Sequence, residues 1–331
     1  MLDYEQHVFY VFPGQGSQYA GMGSDIHQEF AVARDVYARA GEVLGYDVAE
    51  LSFTDPEDKL NLTRFTQPAL LTHSFACLQV FRELTDDRLK PAVAAGHSLG
   101  EYSALVAAKV LTFESALKLV QKRGELMGDH GEGEMSAFPL DLDTIKPIAE
   151  RHRCAIAGCN LPEQTVVGGR AEDLALVEQE VQEQFARKRP VRLKTEGAFH
   201  TYYMDRAAEL FRPVLEEASF ASAEARVLSN YTGGFHEADA AKIRDGLYYQ
   251  LFNPVMWHAN LLTAFGKGVK MIFEFGGGIG SAETPDGKRP NLEGMIKRAS
   301  KAAEYEVQYR SAINAASVRE TADFVNNPEA S

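Results

Sequence analysis

The sequence predicts an α/β fold in which a large subdomain with a mostly parallel sheet carries a small inserted subdomain. Three observations support this prediction. Short apolar runs alternate with helical stretches, several runs end at glycine-rich turns, and the pattern changes between residues 131 and 196 before it resumes. A length of 331 residues suits one large domain with an insertion, or two domains.

The first elements of the large subdomain follow from hydrophobic periodicity. Residues 7–12 form an apolar run that ends at Pro13-Gly14, which indicates a buried strand followed by a turn. A second apolar run, 91–96, leads into Ser98 and a helix expected over about 101–110. Another helix is expected over about 113–127, where apolar residues recur at helical spacing.

The inserted region predicts six elements. They are strand, helix, strand, strand, helix and strand, at 135–140, 142–152, 154–158, 165–169, 171–186 and 191–195. This β-α-β-β-α-β order is typical of a ferredoxin-like unit. The small subdomain therefore spans 131–196, and the large one 1–130 and 197–331. In the second part of the large subdomain we expect helices at 207–218 and 240–251, strands at 225–229 and 269–275, a loop at 279–290, and a terminal helix that frays over the last twenty residues.

Composition excludes several classes of protein. Hydrophobic residues make up 45% and charged residues 24%, the balance of a globular protein, and no run approaches the roughly 20 apolar residues of a membrane span. The first seven residues lack the basic and apolar regions of a signal peptide. A net charge of −13 argues against nucleic acid or an anionic membrane as partner. Three unpatterned cysteines indicate neither a disulfide framework nor a zinc site, so we expect a cytoplasmic protein.

One segment departs from the acidic average. Residues 186–194 contain five basic residues: Arg187, Lys188, Arg189, Arg192 and Lys194. The run is either a solvated entry to a strand or a patch that binds an acidic partner, and charge alone does not choose between these interpretations.

Residues 96–100, Gly-His-Ser-Leu-Gly, match the nucleophile elbow G-x-S-x-G. The context also matches, because the motif follows an apolar strand and opens a helix, as in an α/β-hydrolase-like sheet. The turn exposes Ser98 Oγ, and the N–H of Leu99 at the helix start can face a developing oxyanion. Ser98 is therefore the candidate nucleophile.

A serine nucleophile needs a base, and spacing does not choose among nine histidines. His97 adjoins Ser98, but neighbours on a tight turn point apart. His200, where the insertion returns to the large subdomain, is a candidate, although a lone histidine is more often structural.

Arg123 lies on the second helix and either extends to solvent or reaches a carboxylate in a pocket. The glycine-rich turn 12–18 lacks the lysine of a P-loop but can supply a second oxyanion donor.

Together these residues resemble the malonyl-CoA:acyl-carrier-protein transacylase family, including the free-standing acyltransferases that serve polyketide synthases. Six motifs occur in the family's order and span nearly the whole chain. They are 11–18 (Val-Phe-Pro-Gly-Gln-Gly-Ser-Gln), 66–69 (Thr-Gln-Pro-Ala), 96–104 (Gly-His-Ser-Leu-Gly-Glu-Tyr-Ser-Ala), 122–124 (Lys-Arg-Gly), 197–200 (Gly-Ala-Phe-His) and 250–255 (Gln-Leu-Phe-Asn-Pro-Val).

The resemblance implies a catalytic role for several positions. Ser98 is the acyl-accepting nucleophile and His200 its base. In this family the histidine is oriented by a backbone carbonyl, at the position of Gln250, in place of a carboxylate. The backbone N–H groups of Gln15 and Leu99 form the oxyanion hole.

The resemblance also implies the substrate contacts. Arg123 pairs with the free carboxylate of malonate, and the bulky Phe199 crowds an α-methyl branch. The remaining polar pocket positions are Gln67, His97, Asn160 and Asn230. Two features depart from the family. Gly158 stands where a further asparagine is common, and the loop 276–290 is longer than the usual turn and is either surface decoration or a partner contact.

The implied reaction is a ping-pong transfer from malonyl-CoA through Ser98 to the phosphopantetheine thiol of an acyl carrier protein. It requires no metal or other cofactor, and a monomer is expected. Carrier proteins are typically acidic, so Arg187, Lys188 and Arg189 become candidates for carrier docking. The motif 197–200 and the long glycine loop favour polyketide over fatty acid synthesis.

Three alternatives make different predictions. An acyl hydrolase of the same fold, which removes acyl groups from carrier proteins, would keep Ser98 and His200 but has little need of Arg123. A general esterase would place an acidic residue on a strand end before His200, where the insertion lies instead. A catalytically silent carrier-binding scaffold has no reason to keep the nucleophile, the base and the arginine.

Overall fold

Two β-sheets of different kind organise residues 7–327, the part of the chain that the computed structural model describes. Within it the strands are β1 (Val8–Phe12), β2 (Val93–Gly96), β3 (Glu134–Phe138), β4 (Ala155–Leu161), β5 (Gln164–Gly169), β6 (Val191–Leu193), β7 (Arg226–Val227), β8 (Met271–Phe275) and β9 (Gln308–Ala312). The α-helices are α1 (Ser24–Glu29), α2 (Ala31–Leu44), α3 (Val48–Phe53), α4 (Thr63–Leu84), α5 (Gly100–Ala107), α6 (Phe113–Asp129), α7 (Leu142–Arg151), α8 (Ala171–Gln184), α9 (Asp205–Glu217), α10 (Ala240–Gln250), α11 (Trp257–Gly266), α12 (Glu293–Ala302) and α13 (Ala315–Asn326).

The larger sheet is parallel and covered on both faces. Its strand order is β7-β2-β1-β8-β9, and each neighbouring pair is parallel. Alternate residues of β1 enter two separate cores, with Tyr10 in one and Phe9 in the other, which explains why the strand is an unbroken apolar run. Phe12 pairs with Gly96, so the turns that follow β1 and β2 lie side by side. The predicted mixed α/β fold with a parallel sheet is confirmed.

The smaller sheet is antiparallel, with strand order β4-β5-β3-β6. Its elements follow one another as strand, helix, strand, strand, helix, strand, in the predicted order. One face packs against α7 and α8 through residues such as Phe138 and Val167. Residues of the other face, Met135 and Val166, join the larger core. The smaller sheet therefore lies between its own two helices and the larger core.

Several elements differ from the sequence-based expectations. Strand 191–195 is shorter, at Val191–Leu193, and strand 225–229 is reduced to Arg226–Val227 because the chain then turns back on itself, where Ser229 N–H donates to the Gly234 carbonyl. Helices α1 to α4, α11 and α12 and strand β9 were not predicted. Most of α4 is buried, so it lacks the polar face that gives a helix its periodic pattern, and β9 is a polar edge strand.

Two sequence-based expectations concern residues at the chain ends. The absence of a signal peptide rests mainly on residues 1–6, and the frayed end includes residues 328–331. Both stretches lie outside the described residues.

Candidate active site

Ser98 lies at the sharp turn between β2 and α5. Its φ is 52°, in the left-handed region that residues other than glycine seldom adopt. The turn requires glycine at position 96, because a Cβ on Gly96 would lie 1.9 Å from the carbonyl carbon of Gly100. Asn230 Oδ1 accepts a hydrogen bond from the Ser98 N–H at 2.6 Å and so stabilises this conformation. The strand–turn–helix context predicted for the elbow is observed.

His200 faces Ser98 from the segment that returns from the smaller sheet. Its Nε2 lies 2.7 Å from Ser98 Oγ, and its Nδ1 lies 2.7 Å from the backbone oxygen of Gln250. Because a carbonyl oxygen only accepts, Nδ1 carries the proton and Nε2 is free to accept one from the serine hydroxyl. Burial, and secondly the nearby charge of Arg123, lower the pKa of His200 to about 3. The imidazole is therefore neutral near pH 7, the form that a general base requires.

Arg123 reaches Ser98 from α6 and is fully buried. Its Nη1 donates to Gln67 Oε1 at 2.8 Å, and its Nη2 donates to Gln250 Oε1 at 2.9 Å and to Ser98 Oγ at 3.2 Å. No carboxylate within residues 7–327 forms an ion pair with this guanidinium. Burial lowers its pKa, but an arginine remains charged in proteins. The site therefore contains a buried cation, beside the nucleophile, whose protein partners are all neutral.

A buried carboxylate that sequence reasoning missed lies beneath the elbow. Glu101 is inaccessible to solvent and accepts hydrogen bonds from Gln250 Nε2 at 2.8 Å and from the Asn230 N–H at 2.9 Å. Its other oxygen lies 2.7 Å from His236 Nε2. One feature of the sequence could have indicated this buried carboxylate. Glu101 is a single charged residue in α5, a helix otherwise made of apolar or small residues and one tyrosine. Such a carboxylate must find partners in the interior.

Asn230 supports the elbow from a fully buried position. Its Nδ2 donates to the Gly96 carbonyl at 2.8 Å and to Asn260 Oδ1 at 3.0 Å, while its Oδ1 accepts from the Ser98 N–H. The side chain that the resemblance placed in the pocket is thus engaged with the backbone on both sides of His97.

The two residues expected to form an oxyanion hole lie on neighbouring turns. Leu99 directly precedes the first residue of α5, and Gln15 lies in the turn that follows β1. The turns approach so closely that a Cβ on Gly14 would lie 2.3 Å from the carbonyl oxygen of His97. The side chain of Gln15 donates to Thr63 Oγ1 at 3.2 Å, which anchors this turn to α4.

Two of the expected pocket positions, Asn160 and His97, form a contact between the sheets. Asn160, on β4 of the smaller sheet, has its Oδ1 2.8 Å from Nε2 of His97. Phe199 is buried next to His200 and belongs to the larger core. A Cβ on Gly158 would lie 3.7 Å from its nearest neighbours, an ordinary contact distance. This position would therefore accept a Cβ without displacing Asn160.

The basic run lies apart from this cluster, around the edge strand β6. Lys188 forms an ion pair with Glu163 at 2.8 Å, and Arg192 pairs with Glu178 at 2.6 Å. Arg187 and Arg189 are solvent-accessible and form no ion pair with any residue in the described range. The uncompensated charge of the run is therefore carried by these two arginines and by Lys194, which is also exposed and forms no ion pair within residues 7–327, and not by Lys188.

The long loop 276–290 is anchored beside the turn after β1. The Gly277 N–H donates to His73 Nδ1 at 3.0 Å, and the Gly278 N–H donates to the Ser17 carbonyl at 2.8 Å. A backbone bridge between Ile279 and Arg289 closes the outer part of the loop. The loop thus lies at the same edge of the larger sheet as Ser98.

None of the helices within residues 7–327 combines the length and the apolar character that a membrane crossing requires.

Comparison with known proteins agrees with this geometry. The family model described as "Acyl transferase domain" matches residues 9–274. A malonyl CoA-acyl carrier protein transacylase of Bacillus subtilis is 35% identical over 280 residues, which cover 82% of this chain and 87% of that protein. The polyketide biosynthesis malonyl CoA-acyl carrier protein transacylase PksC of the same organism is 35% identical over 306 residues, 90% of this chain and 98% of that one.

A solved structure is also similar over almost the whole chain. It is described as a type II PKS acyl-carrier protein in complex with its malonyl-transacylase, and it superposes with a TM-score of 0.85 at 32% identity, covering 96% of this chain and 99% of that one. The resemblance inferred from six sequence motifs is confirmed, and the chain belongs to the acyl transferase domain family of the malonyl-CoA:acyl-carrier-protein transacylases.

Proposed function

We propose that this acyltransferase moves a malonyl group from malonyl-CoA to the phosphopantetheine thiol of an acyl carrier protein, with Ser98 as the transient acyl carrier. The observation that carries the proposal is the buried Arg123, whose guanidinium lies 3.2 Å from Ser98 Oγ and has only neutral protein partners. A buried charge without a carboxylate in direct contact is costly, so the site favours an acyl group that brings its own carboxylate.

In the first half-reaction the malonyl carboxylate binds Arg123, and the thioester carbonyl lies next to Ser98 Oγ. His200 Nε2 takes the serine proton as Oγ attacks, and the backbone N–H groups of Gln15 and Leu99 stabilise the oxyanion. The intermediate collapses with cleavage of the C–S bond, and the proton on His200 passes to the sulfur of the departing CoA. The Gln250 carbonyl stabilises the imidazolium that forms transiently, through the Nδ1 hydrogen bond.

In the second half-reaction the carrier thiol gives its proton to His200 and attacks the malonyl-serine ester. A second tetrahedral intermediate uses the same oxyanion donors, and its collapse returns the proton to Ser98. Nucleophile, base and electrophilic stabilisation all come from side chains and backbone groups, so we propose a transfer without a metal or other cofactor. Gln67 holds Arg123 in place. His97 and Asn160 line the side of the pocket that takes the thioester. Phe199 restricts the acyl group to one without a branch at its α-carbon.

We further propose that the two sheets belong to two subdomains. An α/β-hydrolase-like subdomain comprises residues 1–130 and 197–331, and a ferredoxin-like subdomain comprises residues 131–196. The strand order β4-β5-β3-β6 and the alternation of strands and helices support the second assignment. Asn230, whose amide supports the elbow, is assigned to positioning Ser98 more than to lining the pocket.

The carrier protein is proposed to dock beside β6. Arg187 and Arg189 are solvent-accessible and uncompensated, with Lys188 nearby, and they offer charge complementarity to an acidic surface. Two relatives, PksC and the complexed transacylase, are named for polyketide systems, and the motif 197–200 and the long glycine loop are the features of this chain that favour a polyketide role. Three buried, unpaired cysteines suit the reducing cytoplasm, and the proposed enzyme acts there as a monomer.

Intact-protein mass spectrometry after exposure to malonyl-CoA and acetyl-CoA tests the transfer. We expect a malonyl adduct on the protein that is discharged by a phosphopantetheinylated carrier protein. Arg123→Ala is expected to lower malonyl labelling by about 10²-fold and acetyl labelling far less, because only malonate uses the guanidinium. Release of free acid faster than transfer to the carrier would instead identify an acyl hydrolase of the same fold.

A further inference from the structure

Glu101 occupies an unusual place relative to the reacting groups. It lies on α5 one turn after Ser98 and is fully buried, yet within the described residues its side chain makes no hydrogen bond to Ser98, His200 or Arg123. Its three hydrogen-bond partners are the Gln250 side chain, the Asn230 backbone and His236. Gln250 therefore lies between the Glu101 carboxylate and both His200 and Arg123.

The hydrogen bonds around Gln250 leave one orientation for its amide. Arg123 can only donate, and it faces Gln250 Oε1 at 2.9 Å. The Ser98 carbonyl and the Glu101 carboxylate can only accept, and they face Nε2 at 2.9 and 2.8 Å. A rotated amide would direct its NH₂ group at the guanidinium and its oxygen at two acceptors. Glu101 therefore helps determine which face of Gln250 meets Arg123.

The charge of Glu101 also bears on Arg123. The guanidinium is buried among neutral partners, and Tyr102 and Glu101 act to raise its pKa against the larger, lowering effect of burial. Glu101 is kept at a distance because its oxygens are already occupied by Gln250, Asn230 and His236. A carboxylate in direct contact would neutralise the arginine and compete with an incoming acid, whereas one held behind Gln250 does not.

We propose that Glu101, held by His236, is a positioning residue for the carboxylate-binding arginine. It orients the amide of Gln250 toward Arg123 and supplies a counter-charge that leaves the guanidinium open to the acyl carboxylate. This inference rests on the proposed function of Arg123. It predicts an effect on malonyl groups that acetyl groups, which have no carboxylate, do not share.

The test compares the rates at which malonyl-CoA and acetyl-CoA label Ser98 in the full-length protein. Glu101→Gln keeps the shape but removes the charge and an acceptor. We expect malonyl labelling to fall about 10- to 100-fold, the cost of a buried polar group left poorly paired, and acetyl labelling to fall less than about threefold. Equal losses with both substrates would overturn the proposal, because a merely structural role lowers both rates alike.

Glu274→Gln is the matched control. Glu274 is equally buried, and it accepts hydrogen bonds from the Asn291 and Leu292 N–H groups and from Tyr309 OH, away from Ser98. We expect its malonyl-to-acetyl ratio to equal that of the wild type. If it shifts the ratio as much as Glu101→Gln, the effect is a general result of removing a buried carboxylate and the proposal fails.

Two further variants keep the outcome interpretable. If Glu101→Gln does not fold, His236→Leu removes the donor that holds Glu101, and we expect a smaller shift of the ratio in the same direction; an unchanged ratio overturns the proposal. Arg123→Ala separates this inference from the proposed function. An unchanged ratio in Arg123→Ala refutes the proposed arginine contact itself. A lost preference in Arg123→Ala with a wild-type ratio in Glu101→Gln refutes only the role of Glu101.

Discussion

The two sheets place their charged residues in opposite ways. The larger sheet is covered on both faces, and two charged side chains near its carboxyl edge, Arg123 and Glu101, are fully buried and hydrogen-bonded to Gln250. The smaller sheet ends in an open edge at β6, where Val191 is 61% exposed and the neighbouring Arg187 and Arg189 face solvent. Charges that are desolvated among neutral groups act strongly on a bound substrate, whereas screened surface charges act on the encounter with a partner.

The largest effect is expected at the buried edge. Ser98→Ala removes the oxygen that we propose receives the acyl group, so the malonyl adduct should disappear and transfer to the carrier should fall more than about 10³-fold. Mass spectrometry measures the adduct, and a carrier-loading assay measures the transfer. Circular dichroism should match that of the wild type, because alanine loses only the hydroxyl. A persistent adduct in this variant would place the nucleophile elsewhere.

A moderate effect is expected on pH dependence. The positive charge of Arg123 contributes to the lowered pKa of His200, which is about 3 and is caused first by burial. As the proposed base, His200 works only when neutral, so acetylation of Ser98 by acetyl-CoA should persist as the pH falls below about 6, the ordinary range of a histidine pKa. In Arg123→Gln the pKa of His200 should rise, and the acid limb of the rate profile should move to higher pH by about one unit.

The control for this pH profile is Lys122→Gln, which removes an exposed cation that pairs with Glu125 on the outer side of the same helix. Its acid limb should coincide with that of the wild type. An acid limb that is the same in Arg123→Gln and wild type would show that the arginine does not influence the base.

The smallest effect is expected at the open edge of the smaller sheet. Charge reversal of Arg187 and Arg189 to glutamate should raise the Michaelis constant for the carrier protein about three- to tenfold, more at low salt, and leave labelling by malonyl-CoA unchanged. Reversal of Arg206, a surface arginine of α9 that pairs with Glu209, is the matched control. An unaltered carrier constant would move the docking surface away from β6.

The contrast between the two sheets also explains which elements were predicted from the sequence and which were not. The order of elements in the smaller sheet was predicted correctly, since its strands and helices are amphipathic and short turns separate them. Helix α4 escaped prediction because most of it is buried, although it carries Gln67, which holds Arg123. Glu101 lies within a recognised motif but had no predicted role, because its partners Gln250 and Asn230 lie 149 and 129 residues away in the chain.

Glycine spacing and hydrophobic periodicity are local properties of the chain, and they were enough to predict the turn at Ser98 and the alternation of elements. From the residues alone the base remained one of nine histidines and Arg123 an arginine on either face of a helix; a family resemblance assigned both. The folded chain places His200 2.7 Å from Ser98 Oγ and a buried carboxylate behind Gln250, and neither placement follows from a local pattern. These facts depend on packing between distant segments, where desolvation and hydrogen-bond satisfaction select the partners.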